Sequence, residues 1–182
     1  MKTTLKITCC SIISALAVVI MLATNIPILL YTVPAIAGVL FIIPAIEFGT
    51  KWAFLCYGVS AVLSLILPTE KEALIVFIGA LGLYPTVKML IERIGKKWLE
   101  ILLKFAFFNA TITASYWVVF KILGANAFQN EFFGLKVTIL LSLLLGNIVF
   151  FIYDVALSRI ILLYFIKLRK PIRKILGIKS NR

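Results

Sequence analysis

The chain has 182 residues, of which 63% are hydrophobic and only 14% are charged. Soluble domains are roughly 45–50% apolar and about 25% charged, so this composition excludes a water-soluble globule, a disordered chain and a nucleic-acid-binding module. The chain has 19 lysine and arginine residues against 7 aspartate and glutamate residues, a formal charge of +12. In so apolar a chain this excess indicates cytoplasmic loops and anionic lipid.

Apolar runs of membrane-spanning length predict an all-α integral membrane bundle of six transmembrane helices, forming a single domain over residues 1–182. Short stretches with charged, amide, proline or glycine residues separate the runs. Both termini are predicted to be cytoplasmic, because this orientation places most basic loops inside. The predicted spans are residues 7–24, 29–47, 51–67, 73–91, 99–123 and 136–166, followed by a basic tail over residues 167–182.

The first predicted span carries small residues at four-residue spacing. Cys10, Ser14 and Val18 form one stripe, and Ser11 and Ala15 form the next. Small residues at this spacing let another helix approach closely, either within the chain or from a separate subunit, and spacing alone slightly favours the internal partner. The apolar run is long enough to favour a retained helix over a cleaved signal peptide.

The fourth and sixth predicted spans each carry a charge at membrane depth. Lys88 lies in the cytoplasmic third of the fourth span, and Asp154, the only aspartate, lies at a comparable depth in the sixth. Because charges in hydrocarbon are costly, we expect a structural or gating ion pair between them, with Tyr84 or Tyr153 nearby. The alternative is that Lys88 extends to the inner interface while Asp154 meets Arg159 or water.

The fifth predicted span has the densest set of polar side chains. Asn109, Thr113, Tyr116 and Trp117 share roughly one helical face, and Asn147 of the sixth span lies at a similar depth. Together they would line an outward-opening pocket for a small, flat, polar molecule. The alternative is that hydroxyls bond their own helix, amides join helices, and the aromatic rings lie in interfacial belts.

The sequence lacks the usual catalytic groups. It has no histidine and no G-x-x-x-x-G-K-[ST] phosphate loop. Its cysteines, Cys9, Cys10 and Cys56, lie in apolar runs and form no C-x-x-C pair. We therefore expect no enzyme activity, no metal site and no cofactor, and any ATP-driven step would need a separate subunit.

The basic tail over residues 167–182 mixes lysine and arginine with isoleucine and leucine. One interpretation is a segment that binds anionic lipid or a partner protein. The simpler interpretation, which we favour from sequence alone, is an anchor that fixes the topology.

The architecture resembles the membrane-embedded substrate-binding (S) components of energy-coupling factor (ECF) vitamin transporters, over roughly residues 7–166. The resemblance implies a multi-pass protein of the bacterial cytoplasmic membrane that captures a vitamin-like small molecule. It implies as partners a transmembrane coupling protein and two ATPase subunits. The family's Ala-x-x-x-Ala docking stripe corresponds here to Ser11-Ile-Ile-Ser-Ala15, in which serine replaces the first alanine.

The resemblance also implies a lid and a binding region. Residues 25–34, which include Tyr31, would form the lid, and the second helix would then be short, from about Pro34 to Glu47. Substrate would bind between this lid and the fourth to sixth helices, where Asn109, Tyr116 and Trp117 lie. The alternative from a different functional class is a membrane scaffold without substrate, similar to six-span bacterial cell-shape proteins.

Overall fold

The structure is a computed structural model that describes residues 3–123 and 135–175. The regular elements in these two ranges are all helical, which confirms the predicted all-α class for the described chain. The α-helices are α1 (Thr3–Met21), α2 (Thr32–Val39), α3 (Ile42–Glu47), α4 (Thr50–Ile66), α5 (Lys71–Val76), α6 (Tyr84–Ile91), α7 (Lys97–Leu123), α8 (Leu135–Leu163) and α9 (Arg169–Ile175).

Short helical turns of other types connect several of these helices. Two 3₁₀ turns, Leu22–Asn25 and Pro27–Leu29, lie between α1 and α2. A π-helical turn, Phe77–Leu81, joins α5 to α6, and a second, Tyr164–Leu168, joins α8 to α9. The segment predicted as a lid therefore begins in 3₁₀ turns and ends in the first turn of α2.

Several helices have the length and apolar character of membrane spans. Within the described ranges, three are long and apolar enough to cross a bilayer: Thr3–Asn25, Lys71–Ile91 and Leu144–Lys174. Two shorter apolar helical stretches are Thr32–Glu47 and Thr50–Ile66. Because about 20 apolar residues suffice to cross the hydrocarbon, these lengths are those of a membrane protein.

The second predicted span, residues 29–47, is not one continuous helix. The structure starts α2 at Thr32 and breaks the run between Val39 and Ile42. Pro44 explains the break, because proline has no N–H to donate to the carbonyl four residues earlier and its ring clashes with that carbonyl. The second span is thus two short helices, α2 and α3.

The fourth span is distorted at Pro85, and a side chain of α8 replaces the hydrogen bond that this proline removes. Pro85 leaves the carbonyl oxygen of Leu81 without its usual backbone donor. The hydroxyl of Tyr153 on α8 donates to this oxygen at 3.3 Å, and it also donates to the carbonyl oxygen of Ala35. A carbonyl freed in a membrane helix needs such a partner, so Tyr153 ties α8 to α2 and to the distorted turn.

Two buried clusters form the core. The first joins α1, α2, α4 and the Phe77–Leu81 turn, and it includes Ala17, Met21, Phe41 and Phe77. The second joins α3, α6, α7 and α8 and consists of the buried residues Ile42, Tyr84, Phe108, Phe150 and Leu157. The second cluster is rich in aromatic contacts, and it lies beside the polar groups described below.

Side-chain contacts show which helix ends lie together. The Lys6 ammonium lies 5.5 Å from the ring centre of Trp52, which brings the start of α1 to the start of α4. Glu47, which ends α3, binds Arg169 and Arg173 of α9. Since Glu47 and Trp52 flank one short turn, the start of α1 and the helix α9 share one end of the bundle.

The other end of the bundle is held by polar contacts after α1 and α4. The Asn25 amide donates to the carbonyl oxygen of Pro68 at 3.0 Å, and the backbone N–H of Glu70 donates to the Thr24 hydroxyl at 3.3 Å. These bonds tie the first predicted lid residue to the turn that precedes α5.

Candidate functional site

A groove runs along one face of α7. Its volume is about 630 Å³, and it opens broadly to the surface rather than forming an enclosed cavity. Its mostly apolar lining is supplied by Asn109, Ala110, Thr113, Ala114 and Trp117. Their spacing places all five on the same side of one helix. The structure thus brings three predicted binding residues, Asn109, Thr113 and Trp117, onto a common groove.

The two asparagines predicted to face a ligand bind each other. Asn109 Nδ2 donates to Asn147 Oδ1 at 3.0 Å, and Asn147 Nδ2 donates to Asn109 Oδ1 at 3.1 Å. Asn109 Nδ2 also donates to the carbonyl oxygen of Phe105 at 2.9 Å. The amides therefore join α7 to α8, as in the alternative interpretation, although Asn109 also borders the groove.

The hydroxyls on the opposite side of α7 are also satisfied within the helix. Thr111 Oγ1 donates to the carbonyl oxygens of Phe107 and Phe108, and Ser115 Oγ donates to that of Thr111 at 2.8 Å. Ser115 is buried against Gly79, where a Cβ atom would collide with its hydroxyl. These residues serve close packing of α7 against the fourth span.

The end of the groove nearer the C-terminus of α7 carries an aromatic ring and a cation. Trp117 is 59% exposed, and the Lys121 ammonium lies 4.3 Å from its ring centre. The side chain of Tyr116 lies outside the described part of the structure. Tyr31 precedes α2, is half exposed, and is not one of the described residues lining the groove. Among the described side chains lining the groove, the exposed indole of Trp117 is therefore the aromatic surface.

Lys88 and Asp154 meet in a larger network of charges. Lys88 is fully buried and forms a salt bridge with Asp154 Oδ1. It also lies 2.9 Å from Glu92 Oε1. Lys104 of α7 bridges the same two acids, at 2.7 Å from Glu92 Oε1 and 3.3 Å from Asp154 Oδ2. Two cations thus face two anions, so the network is neutral as a whole.

Tyr84 completes the network on its buried side. Its hydroxyl donates to Asp154 Oδ1 at 2.5 Å, and its ring packs edge-on against Phe150 at 4.8 Å. The network connects α6, α7 and α8. It has the form of a structural link, since each described charge in it already has an opposite charge within reach.

Two members of this network, Glu92 and Lys104, were not predicted from the sequence. The i, i+4 spacing of Lys88 and Glu92 is a signal that was available, because such residues are neighbours on a helix. Lys104 gave no such signal. Only the packing of α7 against α6 shows that it is buried.

Glu47 is a further charged residue whose role the sequence did not reveal. Its carboxylate is fully buried, although it lies at the end of a predicted span. Arg173 Nε donates to Oε2 at 2.7 Å, and Arg169 Nε and the Tyr164 hydroxyl donate to Oε1, both at 3.3 Å. The start of the basic tail is therefore docked onto the bundle.

The two small-residue stripes of α1 lie on different faces of the helix. Cys10, Ser14 and Val18 are buried, and Ser14 Oγ donates to the carbonyl oxygen of Cys56 on α4 at 3.1 Å. Ser11 and Ala15 are exposed. The first stripe has an internal partner, and the second leaves a surface on the bundle.

In residues 3–123 and 135–175, no cluster of three or more cysteine, aspartate or glutamate side chains is arranged to hold a metal ion. Comparison of the chain with protein-family models, with curated proteins and with solved structures finds no match in any of the three.

Proposed function

We propose that the chain crosses the bilayer six times, with both termini in the cytoplasm. The contacts at the helix ends support this, because the start of α1, the end of α3, the start of α4 and the helix α9 lie together. The end of α1 lies instead with the turn after α4. Successive helix ends therefore alternate between the two ends of the bundle, as expected for a chain that crosses the membrane repeatedly. The end that contains the start of α1 and the helix α9 is rich in basic residues, which is typical of the cytoplasmic side.

We propose further that this protein is the substrate-capturing component of an ECF-type importer in the bacterial cytoplasmic membrane. The observation that carries the proposal is the groove on α7, with Trp117 at its outer end and Thr113 within it. A mostly apolar groove with one exposed indole suits a small, neutral, ring-containing molecule of the vitamin class. The Asn109 amide is already paired with Asn147, so Thr113 is the other polar side chain among the described residues that line the groove.

Import against a gradient would draw its energy from partners. The sequence has no phosphate-binding loop, so a transmembrane coupling protein and two ATPase subunits would supply the driving step. The exposed Ser11 and Ala15 face of α1 is the surface we assign to the coupling protein, because small side chains permit close helix contact.

A membrane scaffold without substrate is the second candidate. The reciprocal bonds between Asn109 and Asn147 favour it, because two polar groups that satisfy each other need no guest molecule. In that case Trp117 would serve as an interfacial anchor.

The two candidates differ in whether a small molecule copurifies. We would extract the full chain in mild detergent, identify bound small molecules by mass spectrometry, and titrate any compound found into Trp117→Ala. The importer predicts binding weakened about tenfold or more by the loss of ring contact, about 1.4 kcal/mol. Trp98→Ala is the matched control, since Trp98 is 89% exposed and lies at the opposite end of α7.

A bound compound lost from Trp117→Ala and retained by Trp98→Ala would support capture in the groove. Protein without any copurified small molecule, or equal binding by both variants, would contradict it. The scaffold would then be the better description.

A further inference from the structure

The bases at the start of the tail are divided between two faces of one helix. Arg169 and Arg173 are four residues apart in α9 and both bind the buried Glu47. Lys170 and Lys174 have the same spacing but are displaced by one residue, which is about 100° around a helix. The arginines therefore point into the bundle, while these lysines are exposed.

Glu47 determines which face of α9 is turned away from the bundle. Its carboxylate is fully buried and receives three donors from the final helical segment, two guanidinium groups and the hydroxyl of Tyr164. A buried carboxylate is costly unless it is paired, so the rotation of α9 that pairs it is strongly preferred. That rotation turns the lysines outward.

Lys167, in the π-helical turn just before α9, extends the exposed set. Lys167, Lys170 and Lys174 follow one another at three- and four-residue intervals, and all three are exposed. Within the described chain, none of them forms an ion pair. Three uncompensated ammonium groups on one short segment attract anions.

Helix length places these lysines at the surface of the bilayer. The apolar stretch Leu144–Lys174 has 31 residues, or about 46 Å of helix, whereas the hydrocarbon is about 30 Å thick. The surplus must leave the hydrocarbon at one end. Glu47, which binds this segment, is four residues from Lys51 and five from Trp52, both typical of the interface. The segment therefore lies at the depth of lipid phosphates.

We propose that Lys167, Lys170 and Lys174 form a binding site for the phosphate headgroups of anionic phospholipid, and that Glu47 orients it through Arg169 and Arg173. The site depends on the membrane embedding of the chain and not on whether the chain transports a substrate. In this arrangement the arginines hold the helix in place and the lysines contact lipid.

The test measures lipid binding to the full chain. Purified protein in neutral detergent is titrated with phosphatidylglycerol or with phosphatidylcholine, and bound lipid is counted by native mass spectrometry. The triple variant K167Q/K170Q/K174Q is compared with K51Q/K96Q/K97Q, which removes the same charge from other exposed lysines. Melting temperatures in neutral detergent check that both variants are folded.

At roughly 1 kcal/mol per lysine, we expect about a 100-fold loss of phosphatidylglycerol affinity in K167Q/K170Q/K174Q. Little change is expected in the control variant or with phosphatidylcholine. An equal loss in both triple variants would overturn the proposal in favour of diffuse charge. Displacement of the lipid by millimolar inorganic phosphate would also overturn it, since a free anion would then be the ligand.

Discussion

Asn109 and Asn147 exchange two hydrogen bonds across α7 and α8, at 3.0 and 3.1 Å. In hydrocarbon no water is present to replace these two bonds if either amide is lost. The pair fixes the depth of α8 relative to α7. It also means that Asn109, which the sequence offers as a ligand-binding residue, stabilises the bundle whether or not the neighbouring groove holds a ligand.

We therefore expect Asn109→Leu and Asn147→Leu to destabilise the bundle non-additively. Each single substitution should lower the free energy of unfolding by about 1–2 kcal/mol, because it removes both hydrogen bonds between the two amides. The double variant should cost no more than the worse single variant. Unfolding in mixed micelles would measure all three. Thr111→Val, whose hydroxyl bonds only its own helix, is the control with about 0.5 kcal/mol or less. Strictly additive losses would refute mutual pairing.

Lys88→Met should destabilise the chain by about 3 kcal/mol, because it leaves two carboxylates facing the single cation Lys104. Adding Asp154→Asn should recover part of this loss, since Lys104 and Glu92 then remain as a neutral pair. Free energies of unfolding for the single and double variants check the prediction. Lys96→Met, at an exposed position, should change stability little. A double variant less stable than Lys88→Met would contradict a charge-balanced network.

Gly38→Ala should destabilise the packing of α2 against the distorted turn of the fourth span. An added Cβ would lie 2.5 Å from the carbonyl oxygen of Leu81, a backbone atom with little freedom to move. We expect a loss of about 1–3 kcal/mol in unfolding free energy. Gly58→Ala is the matched control, because no atom lies within 4 Å of its added Cβ. It should be neutral or stabilising, since alanine favours helix. Equal effects at both positions would count against close contact at Gly38.

Glu47→Gln should release the final helix from the bundle. The substitution removes the charge that Arg169 and Arg173 bind, and we expect trypsin to cleave within residues 167–174 about tenfold faster, equivalent to about 1.4 kcal/mol. Timed digestion followed by mass spectrometry measures the rate. Glu100→Gln, in the first turn of α7, is the control for loss of a carboxylate elsewhere in the chain. Unchanged cleavage in Glu47→Gln would show that α9 is held by other contacts.

The sequence by itself determined the class of the molecule. Its apolar runs predict helices, and the predicted spans 51–67 and 99–123 lie within two residues of α4 and α7. Hydrophobicity and length are properties of one segment at a time, so they can be read without knowing its neighbours. Even the break at Val39 follows from local chemistry, because Pro44 acts on its own helix.

Only the tertiary structure decided which polar groups meet. Asn109 and Asn147 are 38 residues apart, and Glu47 reaches Arg173 across 126 residues. Whether an amide faces a guest or another amide depends on the relative rotation and depth of two helices. Those quantities are set by how all the helices pack, and no single segment contains them.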